Sequence, residues 1–74
     1  MEFVELKLPN QAMMTINLKA ILFVLFGYDP KVRKYFVDVE FDTEKRITLI
    51  LSTQKEEALS VYLNLVEKLK EEGI

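Results

Sequence analysis

An uncharged apolar run decides how this chain folds: Ala20-Ile21-Leu22-Phe23-Val24-Leu25-Phe26, followed by Gly27. Upstream of it, polar residues recur every four positions at Gln11, Thr15 and Lys19, a spacing that is typical of one helix face. If that face continued, positions 22, 23 and 26 would be polar, but all three are apolar. The pattern therefore predicts a helix over residues 10–26 whose second half is apolar on every side.

The same run could instead be a buried β-strand, because periodicity alone does not separate a short buried strand from a buried helix. Asn10 as an N-cap and Gly27 as a stop favour the helix. The run also has only two β-branched residues, Ile21 and Val24. A membrane span needs about twenty apolar residues, and Lys19 interrupts this segment, so no membrane association is expected.

Strand patterns flank this segment on both sides. Residues 2–8 alternate apolar and charged residues, and Pro9 ends that strand. Residues 34–52 are typical of a β-hairpin, with one apolar face on each strand. A three-residue loop, 43–45, would place Asp42 opposite Arg46 and Phe41 opposite Ile47. The apolar faces of the hairpin comprise Tyr35, Val37, Val39, Phe41, Ile47, Leu49 and Leu51.

The C-terminal segment has the clearest helix signal. Thr53-Gln54-Lys55-Glu56 matches a capping box, and Gly73 is a stop after Glu72. The apolar stripe of this helix comprises Ala58, Leu59, Tyr62, Leu65, Val66 and Leu69, widened by Val61 and Leu63. The element order is then β-α-β-β-α. We predict a single α+β domain over 1–74, a two-layer sandwich with a three-stranded, largely antiparallel sheet and two helices on one face.

Composition argues against several function classes. The 74 residues include no cysteine and no histidine, which removes disulfides, thiolate metal sites and the commonest general base. The sequence offers no histidine that could activate Ser52 or Ser60 as a nucleophile. We therefore predict no enzyme activity and no catalytic residue, and we also expect no metal and no cofactor. Asp38, Glu40 and Asp42 share a strand face, but their spacing of roughly 7 Å is too wide for one ion.

The expected cellular setting follows from the same composition. No basic segment precedes an apolar run at the N-terminus, so we expect a cytoplasmic protein without a signal peptide. Abundant Lys and Glu without Cys is compatible with a thermophilic source.

The apolar excess points to an interaction surface. A helix in a two-layer sandwich has one face on the sheet, so a helix that is apolar all round needs a cover on its second face. We predict an interface that uses Leu22, Phe23 and Phe26, with Phe36 and Ile50 on the other side of the sheet. The partner would be a second copy or a paralogue, alone or within a larger protein complex.

A nucleic-acid-binding module is the alternative function. Lys31, Arg33 and Lys34 follow the apolar run and lie beside Tyr28 and Tyr35, a combination that suits single-stranded nucleic acid. The net charge of −2, from ten basic and twelve acidic residues, argues against a general nucleic-acid binder.

Two family resemblances bear on this choice. The order is similar to that of KH RNA-binding domains, but the Gly-x-x-Gly loop that clamps RNA is missing. Ala58, Leu59 and Asn64 match the pattern that opens the last helix in the small dimer-forming subunit of the KEOPS tRNA-modification complex, although Ser60 stands where that family has Arg. This resemblance implies a KH-related β-α-β-β-α fold and a non-catalytic, dimeric subunit of the complex that makes threonylcarbamoyl-adenosine in tRNA.

Overall fold

The computed structural model describes residues 3–8 and 11–71. Within them the chain forms five β-strands, one short 3-10 turn over Leu18–Ala20 and one α-helix. The elements are β1 (Phe3–Lys7), β2 (Met13–Asn17), β3 (Ile21–Asp29), β4 (Lys34–Phe41), β5 (Arg46–Ser52) and α1 (Lys55–Glu71). Pro9 and Asn10, predicted to end the first strand and to cap the first helix, lie outside the described residues, as do Glu72 and Gly73.

The strands form two antiparallel sheets. β1 pairs with β2, and β3, β4 and β5 form a three-stranded sheet in that order. Every strand therefore pairs with a neighbour along the chain. The predicted α+β class is confirmed, but the two-helix sandwich is wrong because the described chain has one α-helix. The predicted make-up of the three-stranded sheet is also wrong: β3, which falls largely within the predicted helix, joins the hairpin, whereas the predicted first strand pairs with β2 in a separate sheet.

The helix predicted over 10–26 is replaced by β2, the 3-10 turn and β3. In β2, Ile16 is buried whereas Thr15 is exposed, and Leu18 after it is again buried, so the true period is two. Polar residues spaced four positions apart, as Thr15 and Lys19 are, would also share one face of a continuous β-strand. The spacing that predicted a helix therefore fits a strand equally well. β3 contains Ile, Val and two Phe, residues that suit a pleated, partly buried surface.

The hairpin of β4 and β5 is confirmed, with two changes in detail. Its loop is the three residues 42–44, one position earlier than predicted, closed by Phe41 N–H donating to Lys45 C=O at 2.8 Å. Glu44 takes the left-handed conformation, φ 67°, that such a loop requires. A β-bulge then shifts the register between Val37 and Asp38. Phe36 consequently lies opposite Leu51, and Ile50 lies opposite Val37.

Helix α1 begins at Lys55, and its first turn is held by a different hydroxyl from the predicted one. Among the described residues no hydrogen bond joins Thr53 to Glu56. Instead the Ser52 hydroxyl accepts from the Gln54 N–H at 2.9 Å and donates to the Glu57 carboxylate at 2.5 Å. Ser52 ends β5, so these bonds fix the helix to the sheet.

One core joins both sheets and the helix. Its buried side chains are Leu6, Leu8, Ile16, Leu18, Val37, Val39, Leu49, Ala58, Val61 and Leu65. The β-α-β-β-α order implied by the KEOPS resemblance is not the order of this chain. The three matching residues lie on α1, where Ala58 is buried, Leu59 half-buried and Asn64 exposed. No helix in the described residues is long and apolar enough to cross a membrane.

Candidate functional site

The outer face of the three-stranded sheet, opposite the core, is a regular array of nine residues. Side chains directly opposite each other across antiparallel strands share a face, so the register defines three rows. The rows, each running from β3 through β4 to β5, are Phe23–Glu40–Arg46, Leu25–Asp38–Thr48 and Gly27–Phe36–Leu51. The β3 column and the Gly27–Phe36–Leu51 row have no polar side chain. Glu40 and Asp38 occupy the other two positions of the central β4 column.

Asp38, the central residue of the array, is held by two neighbours on β5. The Thr48 hydroxyl donates to one carboxylate oxygen at 2.7 Å, and Arg46 Nε donates to the other at 3.2 Å. The guanidinium carbon of Arg46 also lies 5.6 Å from the centroid of the Phe23 ring. The Asp38 side chain is only 16% exposed, so the two hydrogen bonds replace contacts with water, and Arg46 supplies the compensating charge.

Phe36 covers Gly27, the one position of the array without a side chain. A Cβ at Gly27 would lie 2.7 Å from Phe36 Cζ, closer than real Cβ contacts allow. The glycine therefore lets the ring lie across the neighbouring strand. Beside this ring is a shallow depression of about 350 Å³, lined by Asp29, Val32, Phe36, Asp38, Thr48 and Leu51.

Strand β3 exposes large apolar side chains on both of its faces. Phe23 and Leu25 are 41% and 39% exposed on the outer face. Tyr28 is 49% exposed on the opposite face, where its ring contacts Tyr35 at 4.9 Å between centroids. Leu22, in the bulge that shifts the register between Ile21 and Phe23, is 60% exposed. We call these four residues, together with the backbone edge of β3, the β3 surface.

The five predicted interface residues do not lie on one surface of the protein. Leu22 and Phe23 belong to the β3 surface, and Phe36 lies on the outer face of the sheet. Phe26 and Ile50 lie on the other side, half-buried against the core. The predicted pair of Phe36 and Ile50 is separated because the bulge in β5 turns Ile50 inward.

On and beside the outer face of the three-stranded sheet, the exposed apolar residues that the sequence did not predict are Leu25, Val32 and Leu51. Had residues 21–29 been treated as a strand, strict alternation would have placed Leu25 beside Phe23 on one face. Leu51 could not be found in this way, because only the bulge places it on the outer face.

The three basic residues lie at the turn between β3 and β4. Asp29 builds this turn: its side chain accepts from the Lys31 N–H at 2.9 Å, and its carbonyl accepts from the Arg33 N–H at 2.8 Å. Lys31 and Arg33 are exposed, and Lys34 is half-buried opposite Asp29. The turn thus places two exposed cations at one end of a sheet whose centre carries carboxylates.

The acidic residues of the hairpin do not converge. Asp38 and Glu40 lie on the outer face, whereas Asp42 lies in the loop. Among residues 3–8 and 11–71, no group of three or more acidic side chains could hold a metal ion.

Comparison of the sequence with protein-family models, and of the chain with curated proteins and solved structures, found no significant match.

Proposed function

We propose that this protein is a small, non-catalytic assembly subunit that associates with a second copy of itself through the β3 surface. The observation that supports this most directly is the exposure of apolar side chains on both faces of one edge strand. Scattered apolar side chains are ordinary on protein surfaces, but a contiguous apolar patch is typical of an interaction site.

The charge distribution favours a copy of the same chain as the partner. Residues 21–28 carry no charge, so two such segments can meet without burying an unpaired ion. The small size of the domain points the same way. A chain of this length buries only about 60–65% of the surface that its unfolded form exposes, so association adds apolar burial that the fold alone cannot supply.

The absence of His and Cys from the sequence supports a non-catalytic role, since the commonest general base and the commonest thiol nucleophile are missing. The proposal does not extend to tRNA modification, because the fold order on which that resemblance depends differs from the observed order.

The test is the mass of the protein in solution across a concentration series, measured by sedimentation equilibrium or by light scattering after size exclusion. We expect a monomer–dimer equilibrium for the natural chain. Leu25→Lys should shift the protein to monomer, because the two added ammonium groups would face each other across a two-fold interface and because lysine at a sheet edge opposes strand pairing. Its unfolding free energy at low concentration should change by less than about 1 kcal/mol, as is usual for an exposed position.

Leu63→Lys is the matched control. Leu63 is 53% exposed on α1, so the chemical change and the starting exposure are similar but the position lies outside the β3 surface. This variant should still dimerise. A natural chain that remains monomeric at high micromolar concentration would overturn the proposal, and so would equal loss of dimer in both variants.

A nucleic-acid partner is the competing outcome. It would use Lys31 and Arg33 at the end of the sheet, together with the exposed ring of Tyr28. The carboxylates of Asp38 and Glu40 on the same sheet argue against it, because they repel phosphate. Binding of single-stranded RNA that weakens steeply with salt, and that Lys31→Gln reduces, would favour this function over self-association.

A further inference from the structure

The outer edge of β3 is the longest strand edge that the described chain leaves without a partner. β3 has nine residues and pairs with β4 on one side; no strand among the described residues pairs with its other side. An edge of this kind presents a row of backbone N–H and C=O groups that another extended strand can match.

β3 lacks the features that usually prevent such pairing. Natural edge strands carry charged residues, prolines, bulges or short lengths that block a second strand. From Ile21 to Tyr28 there is no charge and no proline, and the single bulge lies at the first three residues. The segment from Phe23 to Tyr28 is therefore an unprotected edge.

The exposed side chains distinguish edge pairing from stacking of two outer faces. Phe23 and Leu25 project from the outer face, whereas Tyr28 projects from the opposite face. A sheet stacked on the outer face would cover the first two residues and leave Tyr28 in water. A strand added at the edge has side chains on both faces, so it contacts all three.

Stacking of two outer faces also carries an electrostatic cost. It would place the Asp38–Arg46 ion pair between two sheets and withdraw the 45% exposed Arg46 side chain from water. Desolvation of a charge pair offsets much or all of its attraction. Edge pairing through β3 leaves this ion pair in place, because Arg46 lies on the far strand of the sheet.

We propose that β3 pairs antiparallel with β3 of a second copy, so that the two three-stranded sheets become one continuous six-stranded sheet. This mode of association rests on the self-association proposed above. A two-fold axis relates two identical strands in antiparallel order, which makes the second copy a natural occupant of the edge. In a pairing centred on Leu25, Phe23 faces Gly27 of the partner subunit, which is covered by the partner's Phe36, so the two aromatic rings come together on the outer face.

Disulfide crosslinking tests this arrangement cleanly, because the natural chain has no cysteine. Three single-cysteine variants, Leu25→Cys, Thr48→Cys and Leu63→Cys, are oxidised at a concentration where the dimer forms. Adjacent strands are about 4.8 Å apart, so equivalent positions on the two β3 strands are close while those on the two β5 strands are roughly 24 Å apart. A disulfide requires Cα atoms within about 7 Å, so Leu25→Cys should crosslink at least about tenfold faster than the other two.

Each outcome separates the mode of association from association itself. Fastest crosslinking by Thr48→Cys would show stacked outer faces, and fastest crosslinking by Leu63→Cys would show contact through α1. Either result overturns edge pairing and leaves self-association standing. A protein that stays monomeric, with none of the variants crosslinking above the rate of random collision, overturns both proposals.

Hydrogen exchange gives a second measurement that does not alter the chain. Edge pairing forms new backbone hydrogen bonds, so alternate amides of residues 23–28 should exchange more slowly as protein concentration rises. The amides of β5 should be insensitive to concentration. Concentration-independent exchange throughout β3, in a protein that dimerises, would exclude the continuous sheet.

Discussion

β3 and β5 are the two edges of one sheet, and they differ in how each edge is protected. Both pair with β4 alone among the described residues, and both are rich in apolar residues. β5 begins with a charged residue, Arg46, is interrupted in mid-strand by a bulge, and ends at Ser52, which is bonded to the first turns of α1. β3 is two residues longer, has its bulge at its start and carries no charge before Asp29.

The difference shows that hydrophobicity does not determine whether an edge is open. Three features make β5 a poor template for another strand: the charge of Arg46, the bulge, and the bond from Ser52 to α1. β5 nevertheless contains four Ile and Leu residues, so it is also an apolar strand. Four experiments test this distinction within the folded monomer, in order of decreasing effect.

Truncation of Leu49 should cost more than truncation of any exposed residue of β3. Leu49 lies in the β5 bulge and is 5% exposed, so Leu49→Ala removes buried methyl groups and leaves a cavity, at a cost of about 3 kcal/mol. Leu25→Ala, on the more open edge, should cost less than about 1 kcal/mol. Urea unfolding at low protein concentration compares the two, and equal costs would mean that β3 is as buried as β5.

Gly27→Ala should destabilise the protein by about 1–2 kcal/mol, because its methyl group displaces the Phe36 ring. In a Phe36→Ala background the same change should become neutral or stabilising, since alanine suits a strand better than glycine does. A double-mutant cycle by thermal unfolding measures this coupling. Additive effects would show that the ring does not lie over Gly27 in solution.

The turns that join each edge strand to β4 should both be improved by glycine. Arg33 and Glu44 have φ values of 57° and 67°, a region in which residues with a Cβ are strained. Arg33→Gly and Glu44→Gly should each stabilise the fold by roughly 0.5 kcal/mol, after the entropic cost of glycine is subtracted. A loss of stability for Arg33→Gly alone would show that its side chain makes a contact that the turn needs.

The ion pair on the outer face should contribute least. Arg46 is 45% exposed and the pair is open to solvent screening, so Arg46→Gln should cost less than about 1 kcal/mol and lose its effect at high salt. Thermal unfolding at low and high ionic strength measures it. A larger effect that does not depend on salt would indicate that the contact of Arg46 with the Phe23 ring matters more than its ion pair with Asp38.

The predictability of the fold varied along the chain for physical reasons. The β4–β5 hairpin and α1 were predicted because each has a buried face that the sequence period indicates. The register at the end of β5 was not predicted, because the bulge there interrupts the period. β3 was missed because an edge strand with apolar residues on both faces has no alternation to detect. Its state is decided by backbone pairing with β4, a contact that local sequence does not reveal.

The residues of the β3 surface were predicted only in part, because the sequence did not reveal the strand register. Leu22 and Phe23 were selected because the apolar run needed a cover, an argument that holds for a helix or a strand. A helix would present Phe26 on the same face as Leu22, whereas the strand turns it toward the core, where it is half-buried. The bulges at Leu22 and near Ile50 have no glycine to mark them, so the final register of both edges depended on the folded sheet.

The order in which strands pair has a consequence for how the chain folds. Each strand hydrogen-bonds to its neighbour in sequence, and the turn between β3 and β4 spans only residues 30–33. Chains whose contacts are local fold quickly, because little loop entropy is lost before the contacts form. The uncharged segment from Ile21 to Tyr28 is thus expected to pair on one side within the time of a single hairpin closure. We expect this rapid pairing to shorten the time for which both edges of the strand are open, since no charge or proline from Ile21 to Tyr28 protects them.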